Sequence, residues 1–414
     1  MMNAFTWLFV GVLTAACATR LWLAARQIRH VRMHRDAVPG MFAAAIPLAS
    51  HQKAADYTVA KARLGVVDVV LDALILLVLT LGGVLQWLSA LWERAFELQS
   101  LWHGTALVLT VLLAKAVLGL PLDLYRIFVI EERFGFNRIT LRLYVLDGIK
   151  HLIVGAVLGI PLLLVILWLM QAAGSLWWLY AWAVLVVYSL FLQMIYPAVV
   201  MPLFNKFSPL GDPLLAAKVE DLLRRTGFRS RGLFIMDGSK RSSHGNAFFT
   251  GFGAAKRIVL FDTLVSRLQP AEVEAVLAHE LGHYKLHHVV KGMALSWGFS
   301  FALLLALGVL TNQPWFYQGL GMTSATPAIA LLLFMLVLGE FTFFLQPLLS
   351  LFSRNNEYEA DRYAARYANA TQLAQALVKL YHDNSATLTP DPLHSAYYDS
   401  HPPAAMRIAR LRTA

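Results

Sequence analysis

Cysteine is all but missing from this 414-residue sequence: Cys17 is the only one, and it lies inside an apolar run. Intramolecular disulfides and a cysteine-ligated metal site are therefore excluded. Charge is also scarce. Charged residues make up 14% against 58% hydrophobic, with a mean hydropathy of +0.58, which is the balance of a membrane protein. The net charge of +10 comes without an arginine-rich or aromatic-basic platform, so nucleic acid is set aside as a partner. The N-terminus lacks the charged leader and cleavage site of a signal peptide, and the first segment is expected to be retained. Neither an internal repeat nor a low-complexity tract breaks the chain.

What the chain has instead is long apolar runs. Seven are read as spans, at about residues 4–25, 64–91, 101–122, 150–171, 175–200, 290–310 and 328–352. The connectors after spans one, three and five, and the C-terminal tail, are rich in Lys and Arg. Those after spans two, four and six hold Arg94 alone, and residues 312–326 carry no charge at all. Basic residues stay on the cytoplasmic side, so the N-terminus is expected outside and the C-terminus in the cytoplasm. The membrane would be a bacterial inner membrane, or that of the endoplasmic reticulum in a eukaryote. Between spans five and six some ninety residues leave the hydrocarbon. There, residues 212–227 have helical spacing. Residues 233–236, 246–250 and 257–261 read as strands, the last two as a hairpin around Gly251-Phe252-Gly253.

The densest chemistry follows that sheet, in His279-Glu280-Leu281-Gly282-His283. Residues four apart share a helical face, so both imidazoles can meet one ion. Zn²⁺ accepts such nitrogens and keeps a position open for water, and Glu280 beside the first ligand is placed to take that water's proton. Pro270 in the first turn, and Glu272 and Glu274 near the positive end, support a helix. The metzincin continuation is missing, because Leu286 and Val289 stand where Gly and His are needed. His287 continues the i+4 row but is better suited to capping or to supporting a ligand. The third ligand is expected as a carboxylate from a later helix.

One acidic cluster answers that need: Glu357 and Asp361 share a helical face just past the seventh span, while Glu359 points elsewhere. Glu357 suits the metal. Asp361 suits the role of orienting a ligating histidine through its other nitrogen. The competing reading is an exposed, salt-bridged helix start. Glu359 is expected to matter little to the metal. Asp68, Asp72, Lys115, Asp123 and Glu340 lie in or beside spans, where charges face either a wet cavity or a partner on another helix.

With these blocks in place, the chain resembles the CAAX prenyl protease 1 family of integral-membrane zinc metalloendopeptidases. The resemblance is carried by HQKAADY at 51–57, the stretch 128–137, Tyr196-Pro197, PLFNKF at 202–207, SHGNAF at 243–248, the HELGH motif, 357–361, and Ser400-His401-Pro402-Pro403 with Arg407. It runs from about residue 38 to 411 in the family's order. It implies one zinc per chain on His279, His283 and Glu357, with Glu280 as general base. It also implies a mainly α membrane protein whose seven helices enclose a water-filled chamber, closed on the cytoplasmic side by an α+β catalytic domain. Asn246 and Ala247 would pair with an extended substrate backbone, against the plainer reading of a structural edge strand. His401 would touch the substrate's developing oxyanion, and Arg407 would contact substrate, against the plainer reading of His-Pro-Pro as a helix start.

The expected organisation is a membrane domain over 1–200, a catalytic segment over 201–289, two more spans over 290–352 and a C-terminal segment over 353–414 that completes the zinc site. The implied partners are a peptide or protein substrate, prenylated or not, and the lipid bilayer, with no oligomer required. Three functions compete. A CAAX-type endopeptidase leads. A membrane quality-control endopeptidase without prenyl specificity shares its chemistry. A transporter or channel whose histidines merely bind metal leaves Glu280 and the Glu357–Asp361 pair without purpose.

Overall fold

The computed structural model describes residues 2–412 except 229, 231 and 251–256. Among the described residues six helices or helical runs are long and apolar enough to cross a membrane: Ala4–Met33, Leu101–Glu131, Leu141–Ala172, Gly174–Phe204, His288–Leu310 and Pro327–Tyr367. A broken pair, Leu48–Leu79 and Val84–Trp92, bent by 53°, passes the same test when its two parts are taken together, which brings the candidates to seven. Gly83 sits at the break with φ 78°, a conformation that a side chain would strain. In the run Gly174–Phe204 only 6% of the most apolar window is fully buried against protein, as befits a helix with a face left for lipid.

The ends of these helices sort into two sets. At one end Asn3 Nδ2 donates to the Trp315 carbonyl at 2.8 Å, and Gln86 Oε1 accepts from the Thr323 amide at 2.9 Å. At the other, Arg26 pairs with Asp391 at 2.9 Å and Arg354 Nη1 donates to the carbonyls of Ser395, Ala396 and Asp399. The N-terminus and the uncharged 312–326 connector thus meet at one face, and the basic end of the first helix meets the C-terminal segment at the face that carries the catalytic unit.

That unit is built on a four-stranded sheet in the order β1 (Phe207–Pro209), β2 (Leu233–Met236), β4 (Arg257–Phe261), β3 (Ala247–Thr250). β2 and β4 run parallel and the other pairs antiparallel, leaving β3 at an edge. The pairing expected between 246–250 and 257–261 is present, while the expected Gly251–Gly253 turn lies outside the described residues. Helix Pro213–Arg225, capped by Asp212, and helix Pro270–Lys285 pack with the sheet through Leu215, Leu222, Ile258, Leu260, Leu277 and Leu281, all nearly water-free.

Two helices reach beyond the apolar runs that mark them in the sequence. The second membrane helix starts at Leu48, well before the apolar run, and its first turns carry Lys53, Asp56 and Lys61. The stretch 128–137 stays helical through Glu131 as a widened turn over Arg126–Glu131, before the chain turns at Gly135. Of the charges in the spans, Glu340 pairs with Arg20 at 2.7 Å and Asp123 pairs with Arg126, whereas Asp68, Asp72 and Lys115 are exposed.

Candidate metal centre and active site

Two helices make the centre. The histidine helix, Pro270–Lys285, opens with a capping box in which Gln269 and Glu272 satisfy each other's backbone amides. The carboxylate helix, Gln346–Tyr367, lies directly against it. Gly282 makes this contact possible: a Cβ there would stand 2.9 Å from Ala360 Cα and 3.1 Å from Tyr363 Cβ. The glycine of the motif is a packing requirement, and it brings His279, His283 and Glu357 into one plane of action.

The donor groups converge, each imidazole facing a different oxygen of Glu357. His279 Nε2 lies 3.2 Å from His283 Nε2 and 3.4 Å from Glu357 Oε2, and His283 Nε2 lies 3.2 Å from Glu357 Oε1. A tetrahedral zinc with bonds of about 2.0–2.1 Å spaces its ligand atoms by about 3.3–3.4 Å. Glu357 Oε2 is buried without a hydrogen-bond partner, as an oxygen meant for a cation would be. Two imidazoles and a carboxylate, with the fourth side facing open space, are the donor set of a hydrolytic zinc site. Among the described residues this is the one His/Cys/Asp/Glu group compact enough to hold a metal ion.

Behind the donors the site is closed. Asp361 Oδ1 accepts from His279 Nδ1 at 2.9 Å, which fixes the tautomer that turns Nε2 to the metal. Arg407 grips Asp361 with Nε at 2.9 Å and Nη2 at 2.6 Å, and its Nη1 stands 3.4 Å from Glu357. Arg407 is 5% exposed, so the position expected at the substrate is found supporting the ligands from behind. Breaking such a buried pair by removing one partner typically costs about 3–5 kcal/mol.

In front lies a cavity of about 880 Å³ lined by Glu280, His283, Glu357, His401, Asn246, Ala247 and Phe248, and by Leu192, Tyr196 and Pro197 from a membrane helix. Burial pushes the Glu280 carboxyl up from its ordinary range, partly opposed by the two histidines, as suits a base that must also hold a proton. His401 sits in the turn before helix Ala404–Leu411, with Nε2 3.4 Å from Glu357 Oε1 and its ring largely exposed to the cavity. Asn246 precedes β3 at the same wall, and its carbonyl accepts from the Phe261 amide at 3.0 Å, pinning the edge strand to β4.

Two residues escaped the sequence reading. His287 continues the i+4 row in sequence and is read as suited to capping or to supporting a ligand; it stands at the N-cap position of the next helix. It adopts a left-handed conformation (φ 58°) that ends the histidine helix and starts the membrane helix His288–Leu310. The break shifts the phase, so the neighbouring residue swings in: His288 Nδ1 lies 3.0 Å from His283 Nδ1, and His288 Nε2 lies 2.9 Å from Glu359 Oε2. Glu359 does point away from the metal, but it is not idle. The doubled histidine at 287–288 was the only signal available.

A zinc triad with a half-buried carboxylate at its open side, beside an edge strand, is equipped to hydrolyse peptide bonds, and the histidine helix that carries two of its ligands runs directly into a helix long and apolar enough to cross a membrane. The fold and site therefore define a membrane-embedded zinc metalloendopeptidase. Residues 27–206 match the family model described as the CAAX prenyl protease N-terminal region with five membrane helices, and residues 209–414 match that of peptidase family M48. The chain belongs to that family. It is 36% identical over 341 residues to the CAAX prenyl protease 1 homolog of Oryza sativa subsp. japonica, covering 80% of each chain. It is 37% identical to CAAX prenyl protease 1 of Saccharomyces cerevisiae, over 72% of this chain and 69% of that one. The crystal structure of S. mikatae Ste24p superposes with a TM-score of 0.92 at 31% identity, covering 99% of this chain and 100% of that chain.

Proposed function

We propose that this enzyme cleaves C-terminal, CAAX-type peptides whose cysteine carries a prenyl group. The observation that carries the proposal is the composition of the active-site cavity. One wall is the β3 edge beside Glu280, and another is made by Leu192, Tyr196 and Pro197 of a membrane helix. Such a space suits a substrate with an extended backbone and an apolar appendage reaching towards the lipid. The names of the relatives in rice and yeast point the same way.

In the proposed mechanism His279, His283 and Glu357 hold the zinc, and Asp361 orients His279. The bound zinc supplies a Lewis acid that acidifies water and polarises the peptide carbonyl. Asn246 and Ala247 pair with the substrate backbone by strand addition and present the scissile carbonyl to Glu280. Glu280 takes the proton at its carboxylate and returns it to the leaving amine. His401 donates to the carbonyl oxygen as that atom gains charge. Arg407 acts from behind, by balancing Asp361 and Glu357.

The proposed organisation keeps a membrane part over 1–200 and 290–352 and a catalytic part over 201–289 and 353–414. The catalytic face is placed in the cytoplasm because the basic end of the first helix and the C-terminal segment meet there. A tag within 312–326 should then be reached from outside intact cells, and labelling from the inside only would reverse the orientation. Exposure of Asp68, Asp72 and Lys115 on apolar helices supports a wet chamber among them.

Substrate choice is tested with the purified full chain in detergent, on one C-terminal peptide series with and without a prenyl thioether. The expected result is a much lower KM for the prenylated form, with cleavage after the cysteine. Equal cleavage of both forms would replace the CAAX reading with that of a general membrane quality-control endopeptidase.

A further inference from the structure

The two candidate ligating histidines are held differently. His279 has a carboxylate directly on its outer nitrogen, from Asp361 at 2.9 Å. His283 has an imidazole there: His288, itself 6% exposed, whose far nitrogen meets Glu359. The proton positions along this row follow from chemistry. An ionised carboxylate only accepts, so His288 carries its proton on Nε2 and donates it to Glu359. A neutral His288 then has a lone pair on Nδ1, which can only accept from His283 Nδ1–H. His283 is left with its lone pair on Nε2, the atom 3.2 Å from Glu357 Oε1. The opposite arrangement would put a hydrogen on Nε2, facing the metal. Lys291 Nζ, 3.4 Å from Glu359 Oε2, favours the ionised carboxylate that the row requires.

We propose that His288 and Glu359 are positioning residues for zinc, a two-step relay that sets the tautomer and ring orientation of His283 as Asp361 does for His279. The relay also has a structural consequence. His288 opens the membrane helix His288–Leu310, so the second ligand is anchored to a membrane-crossing element while the first is anchored within the catalytic unit. The left-handed residue His287 is what allows both, since a continuous helix would carry position 288 off the face of His283.

The proposal rests on His283 being a ligand, and the test separates the two ideas. Zinc is titrated into the metal-stripped full chain in detergent against a competing chelator, with the thermal midpoint of the stripped protein and kcat and KM recorded alongside. His288→Leu should weaken zinc by about 10–100-fold, comparable to Asp361→Asn, because outer partners of ligating histidines have effects of that size. His288→Asn keeps an acceptor near the Nδ1 position and should recover most of the loss. Glu359→Leu should weaken zinc less than His288→Leu, and Glu359→Gln, which still offers an oxygen, should stay near the parent. Zinc bound by His288→Leu as tightly as by the parent would overturn the relay, as would an asparagine no better than leucine. If His288→Leu does not fold, the half-exposed Glu359 decides, since equal affinities in its Leu and Gln variants would also overturn it. A parent protein that binds no zinc would sink the ligand assignment itself.

Discussion

The back and the front of the metal centre are built on opposite principles. At the back, Asp361, Arg407 and Glu357 are each about 5% exposed; Asp361 and Arg407 are engaged with each other, and Glu357 Oε2 is kept for the cation. At the front, Glu280 and His401 look into a cavity of about 880 Å³, with their polar atoms available to whatever enters it. The back has saturated its interactions before any substrate arrives, so it costs no reorganisation during the reaction. The front keeps its capacity for the substrate. Arg407 illustrates the rule: a guanidinium able to bind a carboxylate terminus is instead spent on Asp361, in a bidentate grip.

The largest effect is expected from breaking the back at the metal. Glu357→Gln removes the one anionic donor, so both zinc and activity should be lost at neutral pH, as read by metal analysis after dialysis. Retained zinc would mean that another carboxylate completes the site. A front substitution should do the reverse. Glu280→Gln should leave zinc and the thermal midpoint unchanged while turnover falls by at least about 10²–10⁴-fold, the usual share of a general base. Near-normal turnover would remove Glu280 from the chemistry, and loss of metal would erase the distinction between front and back.

Much of this was legible because the information is local. His279 and His283, and Glu357 and Asp361, each lie four apart, and helical periodicity alone puts each pair on one face. What could not be read depends on breaks or distant partners. The turn at His287 shifts the phase by which His288 enters the site, and no glycine or proline announces it. Arg407 finds Asp361 across 46 positions, with nothing near it in sequence to suggest an acidic neighbour. β1 is three residues long and ends in proline, too short for any alternation to register. The charged first half of the second membrane helix hid its true start, since hydropathy marks the lipid boundary and not the end of a helix.

The smallest effect sharpens the comparison most, because two principles predict opposite signs. Gly282 lies inside a helix, where alanine is intrinsically better by about 1 kcal/mol. If its role were only local, Gly282→Ala would raise the thermal midpoint. The added Cβ would instead stand 2.9 Å from Ala360 Cα, a backbone atom that cannot rotate aside. Overpacking of this kind costs about 1–3 kcal/mol, so the net result should be destabilisation. The position makes the consequence specific. Gly282 lies between His279 and His283, and Ala360 between Glu357 and Asp361, so separating the helices moves the donors apart and lengthens the Asp361–His279 contact together. Zinc affinity should therefore fall with stability, while β3 and the front of the cavity stay in place. A higher midpoint with unchanged zinc binding would show that the two helices have room to spare, and that the back of the site is less tightly closed than its distances indicate.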